Sequence, residues 1–352
     1  EDELSGLQHA MNQKIVKREA FWAEYQNEPL SAVEESAPML SADDVAAKVN
    51  GRARGEVPRG CEHLTAFIDV GQELLFFCVA AWEPDFTGYV LDYGSYPDQH
   101  LSYFTTRDAQ LTLGRAHSGA GTEGAIYAGL DALTGSLLGR EWKRGDGTVM
   151  RVELCLIDQG WQADLVHQFC RQSAHAAVLM PSRGHGVTAS QKPIGEYDRK
   201  RGDRIGFNWW VPTAKGRVLR HVEVDTNFWK TFVHERLATA MGDKGCLSLF
   251  GRGPEQHRLF AEHVTAEYRV ITEGRGRTVH EWKLPPSRPD NHWLDCLVGC
   301  AAGASMRGAA LRSMEAVPLE RPKRRRVSIA EMKARAGNPS ASRERPRLAW
   351  PG

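Results

Sequence analysis

Two apolar stretches of the chain close in the same way. His63-Leu64-Thr65-Ala66-Phe67-Ile68 runs into Asp69-Val70-Gly71, and Val152-Glu153-Leu154-Cys155-Leu156-Ile157 runs into Asp158-Gln159-Gly160. Each pattern predicts a short, mostly buried strand ending in Ile-Asp-x-Gly. If the two strands lie side by side and parallel, their C-terminal ends bring two carboxylates to one crevice, where open α/β sheets carry their sites. After the first strand come a nearly all-apolar run, 74–82, and a second run, 88–94, separated by the turn residues Glu83-Pro84-Asp85. These three segments predict an antiparallel meander. Ile126, Leu130, Leu133 and Leu137 recur at helical spacing and predict a helix over 122–142. A strand over 150–157, a helix with Leu165, Val166 and Phe169 on one face, and a short strand over 177–180 follow. A late helical segment over 291–298 carries Asp295.

The order βββαβαβ closed by a late helix is the ribonuclease H-like succession. The expected fold class is therefore α/β, a ribonuclease H-like mixed sheet flanked by helices, with an inserted β-hairpin and helix region. Within the insertion, 182–204 is glycine-rich and basic, a hairpin is expected from 206–211 and 217–224, and a helix over 227–241. A second hairpin is expected over 267–283 with Gly274-Arg275-Gly276 at its turn. Three regions result: 1–60 as a linker, 61–317 as the catalytic domain, and 318–352 as a disordered basic tail with too little apolar content to fold alone. In the linker, a helix with the aromatic stripe Phe21, Trp22 and Tyr25 is expected over 15–28. Ser41 followed by Asp44 resembles a helix start. Nothing before His63 is expected to join the sheet.

Composition narrows the classes. The chain has 352 residues, enough for a substantial core, with 45 basic and 44 acidic side chains. That near-balance hides an uneven distribution: residues 318–352 carry ten Lys or Arg against three Glu, which leaves the body mildly acidic. Seven cysteines without a Cys-x-x-Cys give neither a disulfide framework nor a zinc ribbon, so they are expected to be reduced and buried, Cys296 and Cys300 on one helical face. No apolar stretch approaches the ~18 residues of a membrane span, and the N-terminus lacks the apolar core of a signal peptide. Beginning at Glu-Asp-Glu, the chain is expected to be a piece of a longer polypeptide.

Asp69, Asp158 and Asp295 are the candidate catalytic and metal-binding residues. Three acidic oxygen donors around one crevice suit Mg²⁺ or Mn²⁺, and hard cations held in this way drive phosphodiester cleavage by two-metal hydrolysis. Each acid has a structural competitor. Gly160 and a helix follow Asp158, so it also fits a helix cap. Asp295 near a helix start also suits the helix dipole, and Asp290 fits the cap of that helix. His292, three residues before Asp295, is placed to contact a phosphate or to serve structure. Arg183, Lys192, Arg199, Lys200, Arg201 and Arg204 are candidates for backbone contacts to DNA. Trp209 and Trp210 point opposite ways in a strand, so at least one belongs to the core.

With these motifs in hand, the chain resembles the C-terminal nuclease region of a tailed-phage terminase large subunit, in the branch related to the lambda packaging enzyme. The resemblance is carried by Phe21-Trp22-Ala23-Glu24-Tyr25-Gln26-Asn27-Glu28-Pro29, Leu40-Ser41-Ala42-Asp43-Asp44, Ile68-Asp69-Val70-Gly71, Asp92-Tyr93-Gly94, Ile157-Asp158-x-Gly160 and Asp290-Asn291-His292-Trp293-Leu294-Asp295. It implies an endonuclease that cuts concatemeric DNA, with Mg²⁺ or Mn²⁺ as two ions held by Asp69, Asp158 and Asp295. Implied partners are double-stranded DNA, the phage portal and procapsid, the terminase small subunit, and an ATPase domain of the same polypeptide, with no membrane partner. The implied location is the host cytoplasm, and the resemblance implies that the tail is a tether to the portal, whereas its charge alone suggests a contact to DNA. No Gly-x-x-x-x-Gly-Lys-Ser/Thr occurs, and Gly119-Ala120-Gly121-Thr122-Glu123-Gly124 has the glycines without the lysine, so no ATPase activity is expected of this chain. Two other functions fit the same residues: a transposase or integrase core that joins strands, and a non-catalytic module that docks on the portal.

Overall fold

The protein is described here from a computed structural model, which covers residues 39–213, 219–287 and 290–310. The expected helix over 15–28 and the basic tail lie outside the described residues. In chain order the elements begin with the short helix α1 (Ala42–Ala46), started by a capping box in which Ser41 and Asp44 satisfy each other's backbone N–H. The meander follows as β1 (His63–Val70), β2 (Leu75–Trp82) and β3 (Gly88–Tyr96), antiparallel throughout. After α2 (Leu113–Ala116), the predicted long helix is α3 (Gly121–Gly139). It stops three residues short of Trp142, which enters a two-residue ribbon of β4 (Trp142–Lys143) and β5 (Val149–Met150). The fourth core strand is therefore shorter than its apolar run: β6 (Leu154–Asp158).

Next come α4 (Ala163–Gln172) and β7 (Leu179–His185), the latter later and longer than the 177–180 expected. The insertion contributes β8 (Arg204–Ile205), β9 (Trp209–Val211) and β10 (Val222–Asp225), with β9 and β10 antiparallel as the hairpin pattern predicts. It continues through α5 (Thr226–Ala238), β11 (Leu247–Leu249) and α6 (Arg258–Val264); the last two had no clear periodicity to announce them. The second hairpin is β12 (Tyr268–Gly274) with β13 (Arg277–Lys283), and α7 (His292–Arg307) closes the described chain.

The described strands form a nine-stranded mixed sheet in the order β11-β3-β2-β1-β6-β7-β10-β9-β8. Its centre, with an antiparallel 3-2-1 meander extended by parallel β6 and β7, is the ribonuclease H-like arrangement. One expectation is corrected at the rim: Val49 makes a parallel bridge to Leu249, so a residue before His63 does join the sheet. Backbone groups of Lys48 and Asn50 pair with Leu249 there. All seven cysteines are free and buried.

Alternation along β1 divides its side chains between two layers. Leu64, Ala66 and Ile68 join Ile126, Leu130 and Phe169 of α3 and α4 in one core. Thr65, Phe67 and Asp69 face the other way, toward α7. That helix sits unusually close, because a Cβ on Gly299 would lie 1.7 Å from Phe67 Cδ2. Thr65 adds a hydrogen bond from its hydroxyl to the Cys300 carbonyl, at 2.9 Å. Gly299→Ala is expected to lower stability by about 1–3 kcal/mol, since overpacking forces strand and helix apart. Chemical denaturation measures this, and an unchanged midpoint would show that α7 seats with slack.

Candidate active site

The parallel pairing of β1 with β6 sets Ile68 beside Ile157, which brings Asp69 and Asp158 next to each other at the strand ends. Both carboxylates fall on the face that α7 covers. Asp295, in the first turn of α7 and one turn before Gly299, completes the group. The three acids line one cavity of about 270 Å³, together with Ser182, Thr226 and Lys230. The structure thus gathers all three sequence-predicted acids.

Each acid is held differently. Asp69 Oδ2 accepts a 2.7 Å hydrogen bond from His292 Nδ1. The His292 ring lies flat on Phe76, the cross-strand neighbour of Asp69, with centroids 4.3 Å apart and planes 8° from parallel. Burial works against a charge on His292, but the hydrogen bond to Asp69 and its charge outweigh burial and raise the imidazole pKa. Asp290 does not cap α7: Asn291 occupies that position, while Asp290 accepts from the Thr106 backbone N–H at 3.0 Å and hydroxyl at 2.9 Å. It lies 3.8 Å from His292 Nε2. His292 and Asp290 therefore stand behind Asp69.

Asp295 is gripped at both oxygens. Lys230 Nζ, from α5, lies 3.0 Å from its Oδ1, and the Asn291 amide donates to its Oδ2 at 3.1 Å. Both donors also reach Glu267 Oε1, Lys230 at 2.5 Å and Asn291 at 2.6 Å. Burial opposes the Lys230 charge, yet Asp295 and Glu267 raise its pKa on balance. For Asp295, burial raises the pKa, with Lys230 opposing and the Asp69 charge adding to the rise.

Among the described residues Asp158 has no such cation in contact. It receives the Gly160 backbone N–H at 3.1 Å, and it caps no helix, since α4 starts at Ala163 behind Gln162. Burial and then the nearby Asp69 charge push its carboxyl up to about 7. A half-buried carboxyl repelled by a second one is stabilised in its charged form by positive charge nearby.

Lys230, Glu267 and Asn291 were missed in the sequence. The one available signal was Lys230 itself, a charge among the buried Trp229, Phe232 and Val233 of α5. The basic loop is placed less simply. Arg183, Lys192, Arg199, Lys200, Arg201 and Arg204 are all exposed. Arg183 alternates with Ser182 and Gly184 of the cavity, however, and so points to the opposite face of the sheet. Trp209 is core and donates to the Ser305 hydroxyl at 3.1 Å, while Trp210 packs edge-on against Tyr197. Asp92, of the Asp92-Tyr93-Gly94 motif, is buried between Arg54 and Arg140, a structural role away from the three acids.

Oxygen donors alone in a repulsive cavity suit a hard divalent cation. Among the described residues no three His, Cys, Asp or Glu side chains are drawn together as a ready cage for one ion, because Asp69 and Asp295 are turned onto His292 and Lys230. Ions entering here would take the place of those cations on the carboxylates.

The described residues thus form a ribonuclease H-like sheet with three acids, from β1, β6 and a late helix, around one cavity. The chain matches the family model for the terminase large subunit gpA endonuclease domain over residues 15–315, and it belongs to that family. It is thus a nuclease region of a phage DNA-packaging enzyme. Among curated proteins none matches it significantly. Among solved structures it is similar to the nuclease domain of the large terminase subunit of bacterial virus Sf6, at 10% identity and a TM-score of 0.40, covering 74% of this chain and 97% of that one. Variants of the same Sf6 domain solved with calcium, or with manganese and β-thujaplicinol, give the same identity and coverage at a TM-score of 0.41.

Proposed function

We propose that the chain cuts double-stranded DNA by hydrolysis, with Asp69, Asp158 and Asp295 as ligands for two divalent ions, Mg²⁺ or Mn²⁺. The observation that carries this is the convergence of three carboxylates on one cavity, with the Asp158 carboxyl pushed up to about 7. Bound ions supply activation of water and neutralisation of the charge that develops on the leaving 3′-oxygen. The protein's own part is positional. β1 and β6 fix two ligands by strand register, and the close seat of α7 on Phe67 fixes the depth of the third. Before ions enter, His292, Lys230 and Asn291 orient the acids that they touch. Lys192, Arg199, Lys200, Arg201 and Arg204, with Arg183 on the outer face, fit contacts to backbone phosphates without reading bases. Family membership supports DNA as the substrate and packaging machinery as the setting. Within that setting the portal, procapsid, small subunit and an ATPase domain are the proposed partners.

Incubation of the purified chain with supercoiled plasmid tests this. Nicked and linear products are expected with Mn²⁺ or Mg²⁺, none in EDTA, and no turnover of ATP. Absence of cleavage with either metal would make the acids structural and favour a docking module. Joined rather than hydrolysed ends would favour a strand-transfer enzyme.

A further inference from the structure

Glu267 belongs to no motif, yet it is 4% exposed and closes a ring of four side chains. Its Oε1 takes Lys230 and Asn291, and these two take the two oxygens of Asp295. Lys230 is itself only 9% exposed, so its ammonium depends on these carboxylates for charge compensation. An ammonium held on a ligand carboxylate competes with a metal ion for the same negative charge, so the ion binds better when that ammonium is held elsewhere. A buried ammonium released without a partner is strongly disfavoured.

Building on the proposed metal site at Asp295, we infer that Glu267 is a positioning residue that holds Lys230 when Asp295 turns to metal. The two carboxylates share one ammonium in the structure. When Asp295 is engaged elsewhere, Glu267 retains it as a neutral buried pair, at the 2.5 Å contact already present. Asn291 makes the same transfer simple on the other oxygen, because its amide also bonds both acids. Glu267 thus lowers the cost of loading the site without touching the ion or the DNA.

The test is Mn²⁺ binding to the chain, followed by electron paramagnetic resonance in the absence of DNA, for four proteins: wild type, E267Q, E267Q/K230M and D158N. Glutamine keeps the volume and can still accept from Lys230 and Asn291, so E267Q is expected to melt as a folded protein. It should bind Mn²⁺ about 10–100-fold more weakly, the range found when residues behind metal ligands are changed. Removing the stranded ammonium as well, in E267Q/K230M, should bring affinity back close to that of wild type. A purely structural role for Glu267 predicts the opposite order, with the double variant the worse. Wild-type affinity in E267Q, or no recovery in the double variant, overturns the inference alone. Binding undiminished in D158N shows that Mn²⁺ sits elsewhere, which overturns the proposed metal site and this inference together.

Discussion

Asparagine at Asp69, Asp158 or Asp295 is expected to lower plasmid cleavage on the order of 10³-fold, the loss of about 4 kcal/mol of transition-state stabilisation. The substitution removes a ligand charge at nearly constant volume, so it separates metal binding from packing. The three variants should also weaken Mn²⁺ binding, and none should be rescued by higher pH, since the lost charge does not return. Cleavage within tenfold of wild type in all three would remove these acids from the chemistry.

The second large effect is on stability without metal, and it has two signs. Lys230→Met leaves the buried Glu267 and the partly exposed Asp295 without their shared cation, which costs about 3–5 kcal/mol. At roughly 2–4 °C per kcal/mol for a domain of this size, the melting temperature should fall by roughly 10 °C. Asp158→Asn should instead raise it. The Asp158 carboxyl is pushed up to about 7 by burial and by Asp69. Its folded pKa lies above its unfolded one, so its contribution is full below about pH 4 and is lost as pH rises through about 7. The gain in Asp158→Asn should therefore be present at pH 8 and absent at pH 4 in thermal melts with EDTA. Equal melting temperatures of wild type and Asp158→Asn at pH 8 would mean that the acids do not repel.

The ends of the two Ile-Asp strands were legible in the sequence because their burial is continuous and their acids interrupt it at the same step. The register that pairs Ile68 with Ile157 then follows from keeping both acids on one face. The meander and both inserted hairpins were legible from turn residues. Helix and strand ends were less so: α3 ends before Trp142 because Gly139 and Arg140 turn the chain into the β4–β5 ribbon, a tertiary preference that no periodicity records. β11 is three residues long and α6 seven, too short for either period to show. In the site, ligands at strand ends have a pattern, whereas Lys230 and Glu267 are 37 residues apart and meet only through packing. Asp290 fitted a cap by position, but its carboxylate is taken by Thr106, 184 residues away.

The two rims of the sheet have a consequence for how copies of this chain can meet. One rim is the three-residue β11, where the outer backbone groups of Leu249 are already taken by Lys48 and Asn50. The other is β8, two residues long and begun by Arg204. Neither offers the long row of open N–H and C=O groups on which strands from separate molecules add to one another. Sheet extension from copy to copy is therefore disfavoured at these two rims, and the outer edges of the separate β12–β13 ribbon are the longer described strands left unpaired on one side. Contacts between copies at the two rims of the nine-stranded sheet are thereby left to side chains rather than to backbone pairing.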